Sequence, residues 1–434
     1  MKNRWLIALS GVGIHVSIGS VYSWSVFNLP LASTYAWENT WAGQTFGESS
    51  AIAMTFSLAI FFLGISAAIM GHFVERRGPR VSGTVAALFF GVGMITAGIG
   101  AWMENIYILW LGYGVLGGIG LGIGYITPVS TLVKWFPDRR GLATGLAIMG
   151  FGFGATVASV SINGLIDAIS IPAAFMIMGG IYLSVMLASA SYLERPPQGW
   201  MPDGMKEAIS SGKKTVTADI SQQTANEAVK TGPFWGLWTM MFINISCGIG
   251  VIYSASPLAQ ESIGLSPAEA AAVVGAMALF NGLGRIGWAS FSDYLGRGST
   301  YMVFFLLQIV AFWALPNITS VILFQVVLYT ILTCYGGGFA TLPAFIGDLF
   351  GTKELGAIHG YVLTAWALAG IVGPQLTAYL HSITGSYQST LYIFAGAFVV
   401  ALVVSLLMKA YIARATGKAA DTQANSNLVG EVTN

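Results

Sequence analysis

Arg285 is the most informative chemical group in the sequence, because it lies inside a long apolar run. A guanidinium within the hydrocarbon costs from about 2.5 to about 17 kcal/mol, so some partner must offset that cost. None of the 18 acidic residues falls deep in an apolar run, and Asp293 is roughly 12 Å away along a helix. The simplest partner is therefore an external anion. A structural arginine, bonded to backbone carbonyls or extending to the membrane surface, is the alternative.

Other residues could complete an anion site around Arg285. Asn281 precedes it by four residues, so a helix would place both side chains on one face. Tyrosine hydroxyls in apolar runs need hydrogen-bond partners, and a carboxylate held by a guanidinium would accept from them. Taken alone, each aromatic residue is more often a packing residue or an interface anchor. The candidate walls are Tyr22, Trp24, Tyr125, Tyr335, Phe339 and Trp366.

The four histidines are the groups that could titrate near neutral pH. His72 and His381 stand at the ends of apolar runs, where structural roles are expected, and the sequence does not place His15. His359 begins an apolar run less than two turns before Trp366, so it is the candidate for proton coupling. We expect no metal and no cofactor, because the two cysteines have no CxxC or Cys/His spacing.

The composition defines the class of protein that must position these residues. Charged residues make up 9% of the 434, against roughly 25% in soluble domains. Apolar residues make up 55%, and the mean hydropathy is +0.72. So little charge cannot cover a water-exposed surface, and this apolar content excludes disorder. The predicted fold class is an all-α polytopic membrane protein, and the net charge of +1 gives no indication of nucleic acid.

Twelve apolar runs are long enough to cross about 30 Å of hydrocarbon as helices. The first six cover residues 5–27, 50–72, 80–102, 106–133, 141–164 and 171–193. The second six cover residues 234–258, 268–292, 299–316, 319–345, 356–380 and 387–411. The first run is too long for a signal peptide and lacks a small-residue cleavage site, so we interpret it as a span.

The basic residues orient these spans. Eighteen of the 19 Lys and Arg residues lie before the first span, after an even-numbered span or after the last, and the nineteenth is Arg285. The positive-inside rule assigns that side to the cytoplasm. We therefore expect a multi-pass protein of the cytoplasmic (inner) membrane with both termini in the cytoplasm.

One long polar stretch divides the spans six and six. We predict an N-terminal six-helix bundle (1–193), a cytoplasmic linker (194–232), a C-terminal six-helix bundle (233–412) and a cytoplasmic tail (413–434). The halves also match weakly, since Glu75 and Gly78 after the second span correspond to Asp293 and Gly296 after the eighth. A parallel duplication would produce this match.

These loops resemble the most recognisable motif of the major facilitator superfamily, and the resemblance covers all twelve spans. It implies two six-helix bundles with a substrate site between them near mid-membrane, worked by rocking of the bundles. The corresponding cytoplasmic gating motif in this sequence is Glu75, Arg76, Gly78, Asp293 and Arg297. Glycine-rich runs at 117–125, 150–154 and 336–338 are interpreted as helix-packing surfaces, since no strand precedes any GxGxxG-like spacing.

Longer motifs resemble the oxalate/formate antiporter family. They are RWLIALSGVGIHVSIGSVYSWSVF, KWFPDRRGLATG, RPPQGWMP, TGPFWGLW, FNGLGRIGWASFSDYLGR and YGGGFATLPAFIGDLFGT. The resemblance implies that Arg285 binds the substrate carboxylate. It also implies that Tyr22, Tyr125, Tyr335 and Phe339 wall the site.

The sequence departs from that family in the eleventh span, where Trp366 occupies the position of a lysine that oxalate-exchanging members use for the second carboxylate. The missing charge favours a monoanion such as lactate, pyruvate, formate or acetate, as in the related monocarboxylate transporters. We therefore predict a secondary active transporter of small monocarboxylates by alternating access, coupled to protons. An oxalate/formate-type anion exchanger is the alternative.

Other functional classes fit less well. A channel would need rings of pore-lining charge or a filter motif, and an enzyme would need a nucleophile–base pair or a metal cluster in the spans. We expect a protein that is not an enzyme and functions as a monomer. Its expected partners are a small carboxylate anion, protons and the lipid bilayer, not nucleic acid.

Overall fold

The computed structural model describes residues 2–46, 48–202, 204–205, 207 and 220–432, and this part of the chain contains no β-strand. Twelve helices are long and apolar enough to span a membrane, and we number them α1 to α12. Helices α1–α6 are Arg4–Ser23, Ala51–Arg77, Pro79–Trp102, Ile106–Trp135, Arg140–Ala168 and Ile171–Tyr192. Helices α7–α12 are Gly232–Ile263, Ala272–Leu295, Arg297–Asn317, Val321–Phe350, Leu355–Thr384 and Gln388–Arg414. The predicted all-α membrane fold with twelve spans is confirmed.

Four of these spans depart from a regular α-helix, and one of them is α9, which ends in a 3-10 turn over Leu315–Asn317. The α1 span ends in a 3-10 turn over Ser20–Ser23 and is followed by a further helix over Ser25–Thr34. The α4 span contains a π-helical stretch over Trp110–Gly117. The α11 span consists of Leu355–Val362 and Thr364–Thr384, which meet at Leu363.

Other helices extend beyond their apolar spans. The α2, α8 and α12 spans belong to the helices Glu48–Arg77, Pro267–Leu295 and Gln388–Val432. The described part of the predicted tail therefore continues the last helix. Short helical segments outside the spans cover Trp37–Asn39, Trp41–Phe46 and Ala225–Ala228.

The helices pack as two bundles of six. In the first bundle α3 contacts α6, α1 contacts α5, and α2 contacts α4; in the second, α8 contacts α10, α7 contacts α11, and α9 contacts α12. The largest contacts between the bundles join α2 to α11 and α5 to α8. If a duplication relates each helix to the sixth helix after it, α2 corresponds to α8 and α5 corresponds to α11. The contact between α2 and α11 then corresponds to the contact between α8 and α5. The bundle interface thus has the symmetry that the sequence repeat predicts.

Glycines allow close approach of these helices. A Cβ on Gly19 of α1 would overlap the backbone of Phe151 in α5, and one on Gly122 of α4 would overlap the Leu63 carbonyl in α2. Since no hydrophobic effect drives helices together in lipid, such close packing supplies much of the association energy. The packing role predicted for the glycine-rich run in α4 is confirmed at Gly122.

The described end of the predicted linker packs on the connection between α10 and α11, whereas residues 208–219 lie outside the described residues. The Ile220 N–H donates to the Asp348 carbonyl at 2.9 Å, one of the carbonyls that a helix C-terminus leaves free. The Thr224 N–H and hydroxyl donate to the Glu227 carboxylate, and these hydrogen bonds lower the pKa of Glu227.

Candidate functional site

Arg285 lies near the middle of α8 and is 1% exposed. Its Nε donates to Asn281 Oδ1 at 3.3 Å, and its Nη1 donates to the Ile148 carbonyl oxygen of α5 at 3.1 Å. Its Nη2 is buried and has no hydrogen-bond partner in the described part of the chain. The carbonyl contact is the kind that a structural arginine would make, but it occupies only one arm of the guanidinium. The second arm is available to an anion.

Small residues bring three helices together around Arg285. A Cβ on Gly145 of α5 would come within 2.9 Å of the Arg285 carbonyl oxygen. One on Gly336 of α10 would overlap the Asn281 carbonyl. Larger residues at these two positions would separate α5 and α10 from α8. The glycines therefore explain how a side chain of the second bundle reaches a carbonyl of the first.

Four further hydrogen-bond donors surround this arginine or its immediate neighbours. Arg285 interacts electrostatically with Tyr22, Tyr125 and Tyr335, whose hydroxyl oxygens are buried without hydrogen-bond partners among the described residues. Tyr22 approaches both Arg285 and Tyr335 but lies outside hydrogen-bond geometry. The indole N–H of Trp366 is also buried and has no hydrogen-bond partner among the described residues. Because a buried donor without an acceptor is costly, this region suits a ligand that supplies acceptor atoms.

Aromatic rings enclose these donors. The guanidinium carbon of Arg285 lies 5.7 Å from the ring centre of Phe151 and 5.5 Å from that of Phe339. The Trp366 ring lies 4.7 Å from Phe339 and 5.9 Å from Phe151. The ring of Phe151 also lies 5.6 Å from that of Tyr125. Phe151 is thus a central residue of the site, and the sequence did not single it out.

The seven predicted substrate-binding residues form one contiguous set, and their role in binding remains a prediction. Together with Phe151 they are called the central cluster. Its members are Tyr22, Tyr125, Phe151, Asn281, Arg285, Tyr335, Phe339 and Trp366.

Two buried histidines border the central cluster. His359, the predicted proton-coupling residue, lies 5.7 Å from the Tyr125 ring, and neither of its ring nitrogens has a partner among the residues described. His15 stacks on the same tyrosine at 5.3 Å. Its Nδ1 lies 2.8 Å from the Ala147 carbonyl oxygen, and its Nε2 lies 3.1 Å from the Tyr125 carbonyl oxygen. The remaining two histidines lie near span ends, each facing a glutamate.

A second polar cluster joins the bundles at the ends of the helices that carry the basic loops, here called the basic end. Asp293 of α8 accepts from the N–H groups of Gly141 at 2.9 Å and Leu142 at 3.0 Å, in the first turn of α5. It also pairs with Arg297 at 2.6 Å. A carboxylate in this position satisfies free N–H groups and interacts favourably with the helix dipole.

Glu75 of α2 makes the symmetry-related contact. It accepts from the N–H of Gly356 at 2.7 Å, in the first turn of α11, and from the Ser130 hydroxyl at 2.7 Å. Lys134 pairs with its other oxygen. Each of the two motif acids therefore binds the N-terminus of a helix in the opposite bundle.

Asp348 of α10 completes this arrangement by pairing with Arg140 of α5 at 2.9 Å and Arg297 of α9 at 3.0 Å. The basic-end latch consists of Glu75, Lys134, Arg140, Asp293, Arg297 and Asp348.

The remaining motif residues have other positions. Gly78 and Gly296 form the turns that follow the two acids, with φ of +85° and +86°, a backbone conformation that favours glycine. Arg76, also predicted as a gating residue, is exposed and lies outside the latch. The motif therefore divides into residues that join the bundles, residues that shape the turns and one surface arginine.

Comparison with known proteins identifies related chains. A family model described as Major Facilitator Superfamily matches residues 14–374 and, separately, residues 245–430. The oxalate:formate antiporter of Oxalobacter formigenes is 29% identical over 384 residues, covering 87% of this chain and 85% of the antiporter. Apicoplast pyruvate carrier 1 of Toxoplasma gondii is 22% identical over 446 residues, covering 83% and 81%.

Solved structures match along almost the whole chain. The crystal structure of the human organic anion transporter MFSD10 superposes with a TM-score of 0.72 at 13% sequence identity. The match covers 93% of this chain and 100% of that chain. At this identity the similarity shows a shared fold.

Proposed function

The chain belongs to the Major Facilitator Superfamily, and we propose that it is a secondary active transporter of small monocarboxylate anions, working by alternating access. The substrates would be of the lactate, pyruvate, formate or acetate class. One observation carries the proposal. The Nη2 of Arg285 is buried in the central cluster without a described partner, beside three phenolic hydroxyls and an indole N–H in the same condition.

A carboxylate matches these donors chemically. Its two oxygens accept about four hydrogen bonds in one plane, and a guanidinium arm forms strong, charge-assisted bonds with it. Phe151 and Phe339 flank the guanidinium with apolar surface, and Trp366 packs on Phe339. Such surface strengthens electrostatic attraction by excluding water.

A single carboxylate is favoured over two. Arg285 is the only permanently charged member of the central cluster, and a second buried carboxylate without a partner would cost several kcal/mol. The two relatives support a small carboxylate, since one is named for oxalate and formate and the other for pyruvate. An oxalate/formate-type exchanger is the second candidate, favoured by the 29% identity to the antiporter.

We orient the basic end toward the cytoplasm, with both termini there, in the inner membrane and as a monomer. The positive-inside rule supports this orientation. The basic-end latch would then close the cytoplasmic side. Rocking of the bundles would separate Asp293 from α5 and Glu75 from α11, and would open the central cluster to the cytoplasm.

Anion uptake also needs an energy source. An inside-negative membrane opposes the entry of an anion by about 2.3 kcal/mol per 100 mV, so a proton must accompany the substrate or another anion must leave. We propose proton symport, with a titrating group beside Arg285. His359 and His15 both border the central cluster.

Competition in proteoliposomes tests the substrate class. We expect a tenfold excess of formate, acetate or pyruvate to suppress labelled lactate uptake, and a tenfold excess of oxalate to leave it nearly unchanged. Competition by oxalate equal to that by formate would favour the exchanger.

The vesicle contents test the coupling. Lactate uptake into empty vesicles, driven by an acidic exterior, supports symport. Uptake that requires an internal carboxylate would show exchange and overturn the proposal of proton coupling.

A further inference from the structure

His15 lies between two backbone acceptors. Its α1 helix packs against both α4 and α5, and the His15 side chain is fully buried at that junction. Nδ1 faces the Ala147 carbonyl oxygen at 2.8 Å, and Nε2 faces the Tyr125 carbonyl oxygen at 3.1 Å. Pro128 lies three residues after Tyr125 in the same helix, and its missing N–H leaves the carbonyl of Gly124, next to Tyr125, without its helical donor.

This geometry depends on the protonation state of the ring. A neutral imidazole has one N–H donor and one nitrogen lone pair, whereas an imidazolium donates from both nitrogens. Carbonyl oxygens only accept, so a neutral His15 would place a lone pair against one of the two oxygens. The protonated ring makes two favourable hydrogen bonds in the same position.

Burial opposes a proton on His15, so the groups around it determine when that proton is stable. From α4 the ring of Tyr125 stacks on it, and from α5 the apolar Phe151 packs at 6.3 Å. From the second bundle, Arg285 of α8 donates to the carbonyl oxygen of Ile148, the residue next to Ala147. His359 of α11 lies 5.7 Å from the ring of Tyr125. The contact with α6 involves Gly13 and the non-titrating Ser189. Arg285 is thus the only permanent charge among these groups, and it repels a proton on His15.

We propose that the coupled proton binds to His15, and that a carboxylate on Arg285 is what makes this binding favourable. The inference rests on the proposed transport function and specifies its proton site. When the substrate anion neutralises Arg285, the repulsion of His15 is removed and an attraction to the anion replaces it. By linkage, the proton on His15 strengthens carboxylate binding by the same factor. Substrate and proton then load together, and the loaded site has the charge of the empty one.

His359 is less suited to this role. Neither of its nitrogens has a hydrogen-bond partner in the described part of the chain, so a proton there would create a buried cation with an unsatisfied donor. His15 has two acceptors already in place. The structure therefore favours His15 over the histidine that the sequence indicated.

Calorimetry of lactate binding in buffers of different ionisation enthalpy tests the inference. We expect wild-type protein to take up about one proton per lactate, and Kd to rise about tenfold per pH unit where uptake is complete. His359→Gln should still take up about one proton per lactate, whatever its affinity for lactate. His15→Gln, which keeps one amide donor, should bind lactate without proton uptake and without pH dependence.

The outcomes separate the two proposals. Proton uptake that persists in His15→Gln, or no uptake by wild-type protein that binds lactate, overturns the proton site and leaves the transport function standing. If no monocarboxylate binds to wild-type protein, the transport function fails, and the inference fails with it.

If His15→Gln does not fold, imidazole ¹⁵N spectra of His359→Gln replace it. A doubly protonated histidine that arises with lactate in this variant supports His15. If no doubly protonated histidine arises with lactate in this variant, the proton is assigned to His359.

Discussion

The central cluster and the basic-end latch both place buried polar groups between the two bundles, but they differ in whether these groups have hydrogen-bond partners. In the latch, each carboxylate oxygen of Glu75, Asp293 and Asp348 accepts from an N–H, a hydroxyl or a cation. In the central cluster, five donor-bearing groups have no acceptor in the described part of the chain. Saturated groups stabilise a closed contact, whereas the unpaired donors of the central cluster would be satisfied by the proposed substrate.

The two regions should therefore respond oppositely to substitution. Removing a group from the latch breaks an existing bond and should destabilise the protein without substrate. Removing one of the unpaired donors of the central cluster breaks only a bond that forms with substrate, so it should weaken binding and leave the unliganded protein as stable as before.

The largest effect is expected for Arg285→Ala. Loss of the charged partner of a buried carboxylate costs about 2–5 kcal/mol, which would abolish measurable lactate binding and uptake. The variant should stay folded, because the two hydrogen bonds that it loses, to Asn281 and to the Ile148 carbonyl, are offset in part by removal of a buried cation with one unpaired arm. Equilibrium binding and thermal melts check both parts. Near wild-type affinity in the variant would show that the anion binds elsewhere.

The next effect is expected for Asp348→Asn in the latch. Arg140 and Arg297 would lose a charged partner, so we expect about 1–3 kcal/mol of lost stability. Lactate affinity should stay within a few-fold of wild type. Glu227→Gln at an exposed carboxylate is the matched control for a simple loss of charge.

The same latch variant also bears on proton coupling. Lactate uptake by Asp348→Asn should keep its pH dependence, because the proposed proton site, His15, borders the central cluster and not the latch. A pH dependence that disappears in Asp348→Asn or Asp293→Asn alone would place the proton on an acidic residue of the latch.

Trp366→Lys should change selectivity rather than stability. A second cation beside Arg285 would pair with the second carboxylate of oxalate, so the affinity for oxalate relative to lactate should rise about tenfold or more. Competition assays give this ratio directly. Trp366→Phe controls for the loss of ring volume. An unchanged ratio of oxalate to lactate affinity in the lysine variant would show that Trp366 does not lie beside the substrate.

Tyr335→Phe should weaken lactate binding without lowering the stability of the unliganded protein. One hydrogen bond to a charged ligand contributes about 1.5–3 kcal/mol, so lactate should bind about tenfold or more weakly. The unliganded variant should melt at or above the wild-type temperature, since an unpaired buried hydroxyl is removed. Ser130→Ala, which loses a donor to Glu75 in the latch, should melt lower. Equal destabilisation by both substitutions would contradict the distinction between the two regions.

Much of the fold could be predicted because the membrane imposes simple rules. Apolar length identifies the spans, and the basic loops agree with twelve of them. Arg285 could be recognised because one uncompensated charge in an apolar run has few explanations. Its neighbour Asn281 followed from helical spacing, and the two side chains do make contact.

The remaining contacts have no pattern that the sequence displays. Phe151 resembles any phenylalanine in an apolar span, and Ile148 contributes a backbone carbonyl that every residue has. The N–H groups of Gly141 and Gly356 in the latch are hidden for the same reason. His15 could not be placed because its importance comes from the helices packed on it.

A thermal-shift panel of mono- and dicarboxylates on purified wild-type and Arg285→Lys protein tests the central claim most directly. We predict that lactate, pyruvate, formate or acetate raises the melting temperature of the wild type, that oxalate does not, and that the lysine variant responds to none, because lysine lacks the planar guanidinium fork. Stabilisation of both proteins by the same monocarboxylate would contradict the assignment of Arg285 as the carboxylate-binding residue.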